Sequence, residues 1–100
     1  MELKTGMRLR SVSDATEVIV VRAAAGVDLR CGGHPMVQQG TEAAAEPILP
    51  GFDGETMMGK RYVDAEVGIE LLCTKSGTGA LSLGETLLPA LGAKPLPASD

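Results

Sequence analysis

The chain has 100 residues, a formal net charge of −4 and an apolar fraction of 44%, with Tyr62 and Phe52 as its only aromatic residues. That length makes one compact domain or two very small ones, with a core built from Val, Leu, Ile, Ala and Met. The acidic balance and the lack of aromatic stacking platforms argue against nucleic acid, and no stretch approaches the roughly 20 apolar residues of a membrane helix.

Arg8, Arg10, Arg22 and Arg30 fall in the first third of the chain, but they alternate with apolar residues and read as the wet face of strands. Met1-Glu2-Leu3-Lys4 carries no apolar signal core, and Cys31 and Cys73 are expected as reduced thiols in a cytoplasmic protein.

Taken in order, Gly6 leads into Arg8-Leu9-Arg10, a short strand with one buried face. Ser11 to Thr16 is polar and turn-like, with Asp14 suited to an Asx turn. Glu17-Val18-Ile19-Val20-Val21-Arg22 is the clearest strand, and its four β-branched residues in a row predict burial on both faces or a central position. Ala23 to Gly26 is a loop, Val27 to Arg30 a further strand, and Cys31-Gly32-Gly33-His34-Pro35 a tight turn before Met36 and Val37.

Residues 38–58 hold Gly40, Pro47, Pro50, Gly51 and Gly54 without sustained periodicity and read as a linker or long loop. Within it, Thr41 to Glu46 could form one or two helical turns capped by Thr41. From Gly59 the first pattern returns. Gly59-Lys60-Arg61-Tyr62 echoes Gly6-Met7-Arg8-Leu9, and Glu70 to Lys75 echoes Glu17 to Arg22, at a constant offset of 53 positions. Residues 89–100 are rich in Pro, Ala and Gly and read as an extended tail. The organisation expected is a first repeat over 1–37, a linker over 38–58, a second, more diverged repeat over 59–88 and a tail over 89–100.

The order of glycine-led strand, turn, long apolar strand, glycine loop and Cys31-Gly32-Gly33-His34-Pro35-Met36 resembles the desulforedoxin family, including the N-terminal domain of desulfoferrodoxins. The resemblance covers roughly residues 6–37, with a weaker echo over 59–88. It implies a small all-β fold of short antiparallel strands and knuckle-like turns, with the family's dimer fused into one chain as two tandem repeats. In that family four thiolates hold one iron. Here the first two ligand positions fall near Ser11 and Asp14, Cys31 keeps the third, and Gly32 stands at the fourth. The corresponding places in the second half fall near Asp64, Val67, Ser82 or Leu83, and Leu83 or Gly84, none of them cysteine. A site with one thiolate and one carboxylate holds iron or zinc far more weakly than four thiolates do.

The candidate metal residues are Cys31 and His34 at C-x-x-H spacing, with Asp14 as third ligand if the fold brings the two knuckles together; the plainer reading is a turn without metal. Cys73 sits inside an apolar strand with no base near it and reads as core. Ser76-Gly77-Thr78-Gly79 could cradle an anion but lacks the following helix and lysine of a P-loop, and reads as a hairpin turn. Asp64 and Glu66 read as solvated surface, and Met57-Met58 as packing.

With no catalytic group in context, the expected function is a non-catalytic accessory or protein-interaction module, such as a small subunit of a cytoplasmic enzyme. It would bind a protein partner or itself, with no cofactor. The alternative is a metal-binding or redox protein that holds iron or zinc through Cys31, His34 and Asp14. A third reading is a small enzyme using the Cys31 thiol.

Overall fold

The β-branched run Val18–Val21 forms the middle of a sheet, but alternation governs it: Val18 and Val20 are buried, Ile19 is half-buried and Val21 is exposed. Of the two outcomes expected from four such residues in a row, the central position holds and burial on both faces does not occur. Only one face of this sheet carries the core, and the period of two assigns the other to solvent. The computed structural model describes residues 2–90. Of the expected tail, Pro89 and Ala90 belong to that range and the rest lies outside the described residues.

The described residues form a small all-β protein without helices. In chain order the strands are β1 (Arg8–Arg10), β2 (Glu17–Arg22), β3 (Leu29–Cys31), β4 (His34–Pro35), β5 (Val37–Gln38), β6 (Asp53–Thr56), β7 (Arg61–Asp64), β8 (Ile69–Lys75), β9 (Gly77–Gly79), β10 (Leu81–Leu83) and β11 (Thr86–Leu87). A five-stranded sheet runs β5-β1-β2-β8-β7, a four-stranded sheet β11-β10-β3-β4, and β6 pairs with β9 alone. All the pairings are antiparallel.

Both larger sheets are joined at their centres by strands from opposite ends of the chain. β2 pairs with β8 from Glu17↔Lys75 to Arg22↔Glu70, and β3 pairs with β10 from Cys31↔Leu81 to Leu29↔Leu83. The inward residues of these strands make one core: Leu9, Val18, Val20, Leu29, Cys31 and Met36 meet Tyr62, Ile69, Leu71, Cys73, Leu81 and Leu88. Full burial of each large aliphatic side chain is worth about 1.5–3 kcal/mol relative to exposure, so neither half has a complete core alone. The lone tyrosine meets the usual condition for burying a phenol, since its hydroxyl accepts a hydrogen bond from Met57 N–H at 3.0 Å.

Residues 41–49 contain no helix; they run irregularly, with Thr41 to Pro47 exposed. A helix-capping threonine and three alanines are not enough when the segment has no apolar face to bury. The far end of this stretch is ordered against the body. Glu46 N–H donates to Val12 O at 2.9 Å and Leu49 N–H to Gly32 O at 2.9 Å, which makes residues 46–49 a strap across the turns after β1 and β3. The remainder of the expected linker includes β6. Met57 and Met58 are 45% and 67% exposed, so they do not serve as the packing residues the sequence suggested. Ser76 to Gly79 is not a plain hairpin turn either, because Gly77–Gly79 is a strand paired with β6.

Candidate functional site

The turn between β1 and β2 and the turn after β3 meet beneath the strap. Ser11 shapes the first: its Oγ accepts from Ser13 N–H at 3.0 Å and from Asp14 N–H at 3.3 Å, while Ser11 N–H bonds Thr16 O at 2.9 Å and closes the loop. Asp14 forms the expected Asx turn, with Oδ2 accepting from Thr16 N–H at 3.3 Å. Gly32 and Gly33 make the second turn at φ of 67° and 91°, a left-handed pair that L side chains adopt only with strain.

Asp14 is the centre of the cluster. Its Oδ2 accepts from Gly79 N–H on β9 at 2.9 Å and from the Thr16 hydroxyl. Its Oδ1 faces the Ser13 hydroxyl at 3.2 Å and the Cys31 thiol at 3.6 Å. Ser13 Oγ also lies 3.0 Å from Ser11 Oγ and 3.3 Å from Cys31 O. Backbone approach here depends on absent side chains. A Cβ on Gly79 would lie 2.8 Å from Asp14 Oδ1, one on Gly77 would overlap the Asp14 carboxylate and Thr16, and one on Gly32 would overlap the Ser13 hydroxyl.

Burial pushes the Asp14 carboxyl up, but the hydroxyls around it, the Gly79 N–H and the Cys31 thiol outweigh that and hold it below the usual carboxylate range. Cys31 is fully buried, and desolvation together with the Asp14 charge pushes its thiol up to about 12. Burial likewise raises the Cys73 thiol, whose Sγ donates to Lys75 O at 3.1 Å. Both cysteines are free and buried, the opposite of the electropositive, accessible setting that makes a thiol reactive.

Of the three candidate ligands, the structure brings Asp14 and Cys31 into contact, while His34 pairs with Cys31 across β3 and β4 but turns its ring to the strap. The His34 Nε2 lies 2.7 Å from Pro47 O, so that ring nitrogen is engaged in tethering the strap. Among the described residues no group of three or more His, Cys, Asp or Glu is placed to hold a metal ion. Ser11, Asp14, Cys31 and Gly32 do converge, but one buried neutral thiol, one carboxylate already saturated with donors, a hydroxyl and a glycine do not fit a tetrahedral thiolate site for iron or zinc.

The sequence did not single out Ser13, Thr16, Gly77 or Gly79 as members of the cluster. The available signal was the density of hydroxyls in Ser11 to Thr16 and the alternation of glycines around Thr78. Asp64 and Glu66 lie on the opposite turn, where Asp64 Oδ1 accepts from Glu66 N–H at 2.9 Å and shapes the loop. Beside it Val67 is 46% exposed, and Leu87 on β11 is 50% exposed. No helix among the described residues is long and apolar enough to cross a membrane. No family model, no curated protein and no solved structure matches the chain.

Proposed function

We propose that the protein is a non-catalytic, protein-binding accessory module of the cytoplasm, built from two fused desulforedoxin-like halves whose metal knuckle has become a hydrogen-bonded structural node. The observation that carries this reading is the fate of the four ligand positions. Ser11, Asp14, Cys31 and Gly32 sit together, and the Ser13 hydroxyl stands where a side chain at position 32 would project. The carboxylate and hydroxyls satisfy one another and the β9 backbone, so the cluster can hold the turns in place without a metal.

What supports the fused halves is the agreement of strand registers. Arg8↔Ile19, Leu9↔Val18 and Arg10↔Glu17 recur 53 positions on as Arg61↔Leu72, Tyr62↔Leu71 and Val63↔Glu70. Between β2 and β8 the same offset exchanges Val18↔Cys73 with Val20↔Leu71 about a central Ile19↔Leu72 pair. The β3–β4 pairs Arg30↔Pro35 and Cys31↔His34 recur 52 positions on as Ser82↔Leu87 and Leu83↔Thr86. A two-fold relation between halves, as in an isologous dimer, produces such paired registers.

The exposed large apolar residues among the described ones, Val21, Leu49, Met57, Met58, Val67 and Leu87, are the apolar side chains available to a partner or a second copy. The test is metal content of the purified protein taken together with its mass in solution. The expected result is no stoichiometric iron or zinc, with Cys31→Ser folded and equally metal-free. About one iron or zinc per chain, lost in Cys31→Ser, would restore the metal-protein reading in place of this one.

A further inference from the structure

We propose that Glu42–Ala45 is a cleavage site for an endopeptidase with a small primary pocket, and that the cut chain persists as a two-chain complex. Among the described residues, Glu42, Ala43, Ala44 and Ala45 are exposed and lie outside strands and turns. Among the described residues their backbone groups enter no hydrogen bond, whereas both flanks are fixed: Thr41 N–H bonds Gln38 O at 3.0 Å, and Glu46 N–H bonds Val12 O. The Arg10 guanidinium also holds Thr41 O, and Arg10 and Gly40 to Ala44 line a shallow depression open to solvent. Endopeptidases take substrates as extended chain, and exposed small-residue loops with unpaired backbone open for them at least cost. Alanine side chains suit a protease with a small, elastase-like pocket.

Hydrolysis here breaks one C–N bond between Ala43 and Ala44 or between Ala44 and Ala45. Water supplies a hydroxyl to the carbonyl carbon and a proton to the released nitrogen, leaving a carboxylate and an ammonium in the gap. Nothing that unites the halves passes through that bond. The β2–β8 and β3–β10 ladders join the fragments in two sheets. The cut also falls before the strap, so Glu46 to Leu49 of the second fragment stay bonded to Val12 and Gly32 of the first, with Pro47 O on His34. Gly79 N–H on Asp14 adds a further link. The surface each fragment offers is the interior of the present molecule, and its partner is the other fragment.

The test is timed digestion of the intact protein with an elastase-type serine endopeptidase, with cut sites located by mass spectrometry. The expected result is one early cut between Ala43 and Ala45. The two products should co-elute at the position of the uncut protein under native conditions and separate in denaturant. The triple variant A43E/A44E/A45E should lose that cut while keeping the native elution position. An earliest cut elsewhere, undiminished cutting of this segment in the variant, or separation of the fragments under native conditions would overturn the proposal.

Discussion

Cys31 and Asp14 stand 3.6 Å apart, and each moves the other away from its ordinary ionisation. The thiol donates to a carboxylate that stays charged, and the carboxylate in turn opposes formation of a thiolate beside it. The consequence for stability has opposite signs on the two sides of neutrality. Asp14 has a folded pKa below its unfolded value, so its contribution is present above about pH 3.9 and is lost as the pH falls through the lower folded value. Cys31 is raised to about 12, so once the pH exceeds the unfolded thiol value of about 8.5 only the unfolded chain releases the proton, and stability falls. Urea unfolding of the reduced protein across a pH series is therefore expected to show a plateau that declines at both ends. Cys31→Ser should remove up to about 1.4 kcal/mol per pH unit from the alkaline decline, and Cys73, also raised, should sustain the remainder. An alkaline slope unchanged in Cys31→Ser would mean that the thiol is not held away from ionisation as its surroundings require.

At the scale of strands and turns, much was legible because periodicity reports it. Glu17 to Arg22 and the Arg8-Leu9-Arg10 segment declared their strands, and the Ser11 to Thr16 turn followed from its polar residues. What the pattern could not report was which backbone comes close to which. Gly77 and Gly79 look like turn residues in the sequence, yet β9 uses them to pass against the Asp14 carboxylate, a contact between positions 65 apart. Tertiary approach of this kind has no local signature. The candidate ligands were only partly legible for the same reason: Asp14 and Cys31 meet, while His34, two residues beyond Gly32, turns to a strap carbonyl that no spacing rule anticipates. These glycines give a test that separates contact from conformation. Gly77→Ala places a methyl group against Asp14 and 2.6 Å from Thr16 N, and is expected to cost about 2–4 kcal/mol. Gly84→Ala meets nothing within 4 Å and strains only its φ of 58°, for about 1–2 kcal/mol. Denaturant midpoints of the two variants check the order, and a Gly77→Ala variant as stable as Gly84→Ala would remove β9 from the node.

Across the whole molecule, the joining of distant strands decides how it comes apart. Val18 and Val20 lie in the first half, and Leu71 and Cys73 in the second, but Val18↔Cys73 and Val20↔Leu71 are cross-strand neighbours in one buried layer. If either half unfolded alone, the other would expose the inner face of its central strand and lose the ladder that pairs it, so a half-folded state is penalised twice. Thermal unfolding is therefore expected to be a single transition, with calorimetric and van't Hoff enthalpies equal, even though the sequence reads as two units joined by a loop. Val20→Ala and Leu71→Ala test this from opposite ends of the chain. Both side chains are about fully buried, at 1% and 0% exposure, and truncation is expected to cost roughly 1–3 kcal/mol for the valine and 2–5 kcal/mol for the leucine. Each variant should lower the one midpoint without splitting it. In the double variant the two costs should fall short of or exceed their sum by about 0.5 kcal/mol or more, because the residues share a contact. Two resolved transitions, one moved by Val20→Ala and the other by Leu71→Ala, would show that the halves fold independently and that the central ladder follows from their docking.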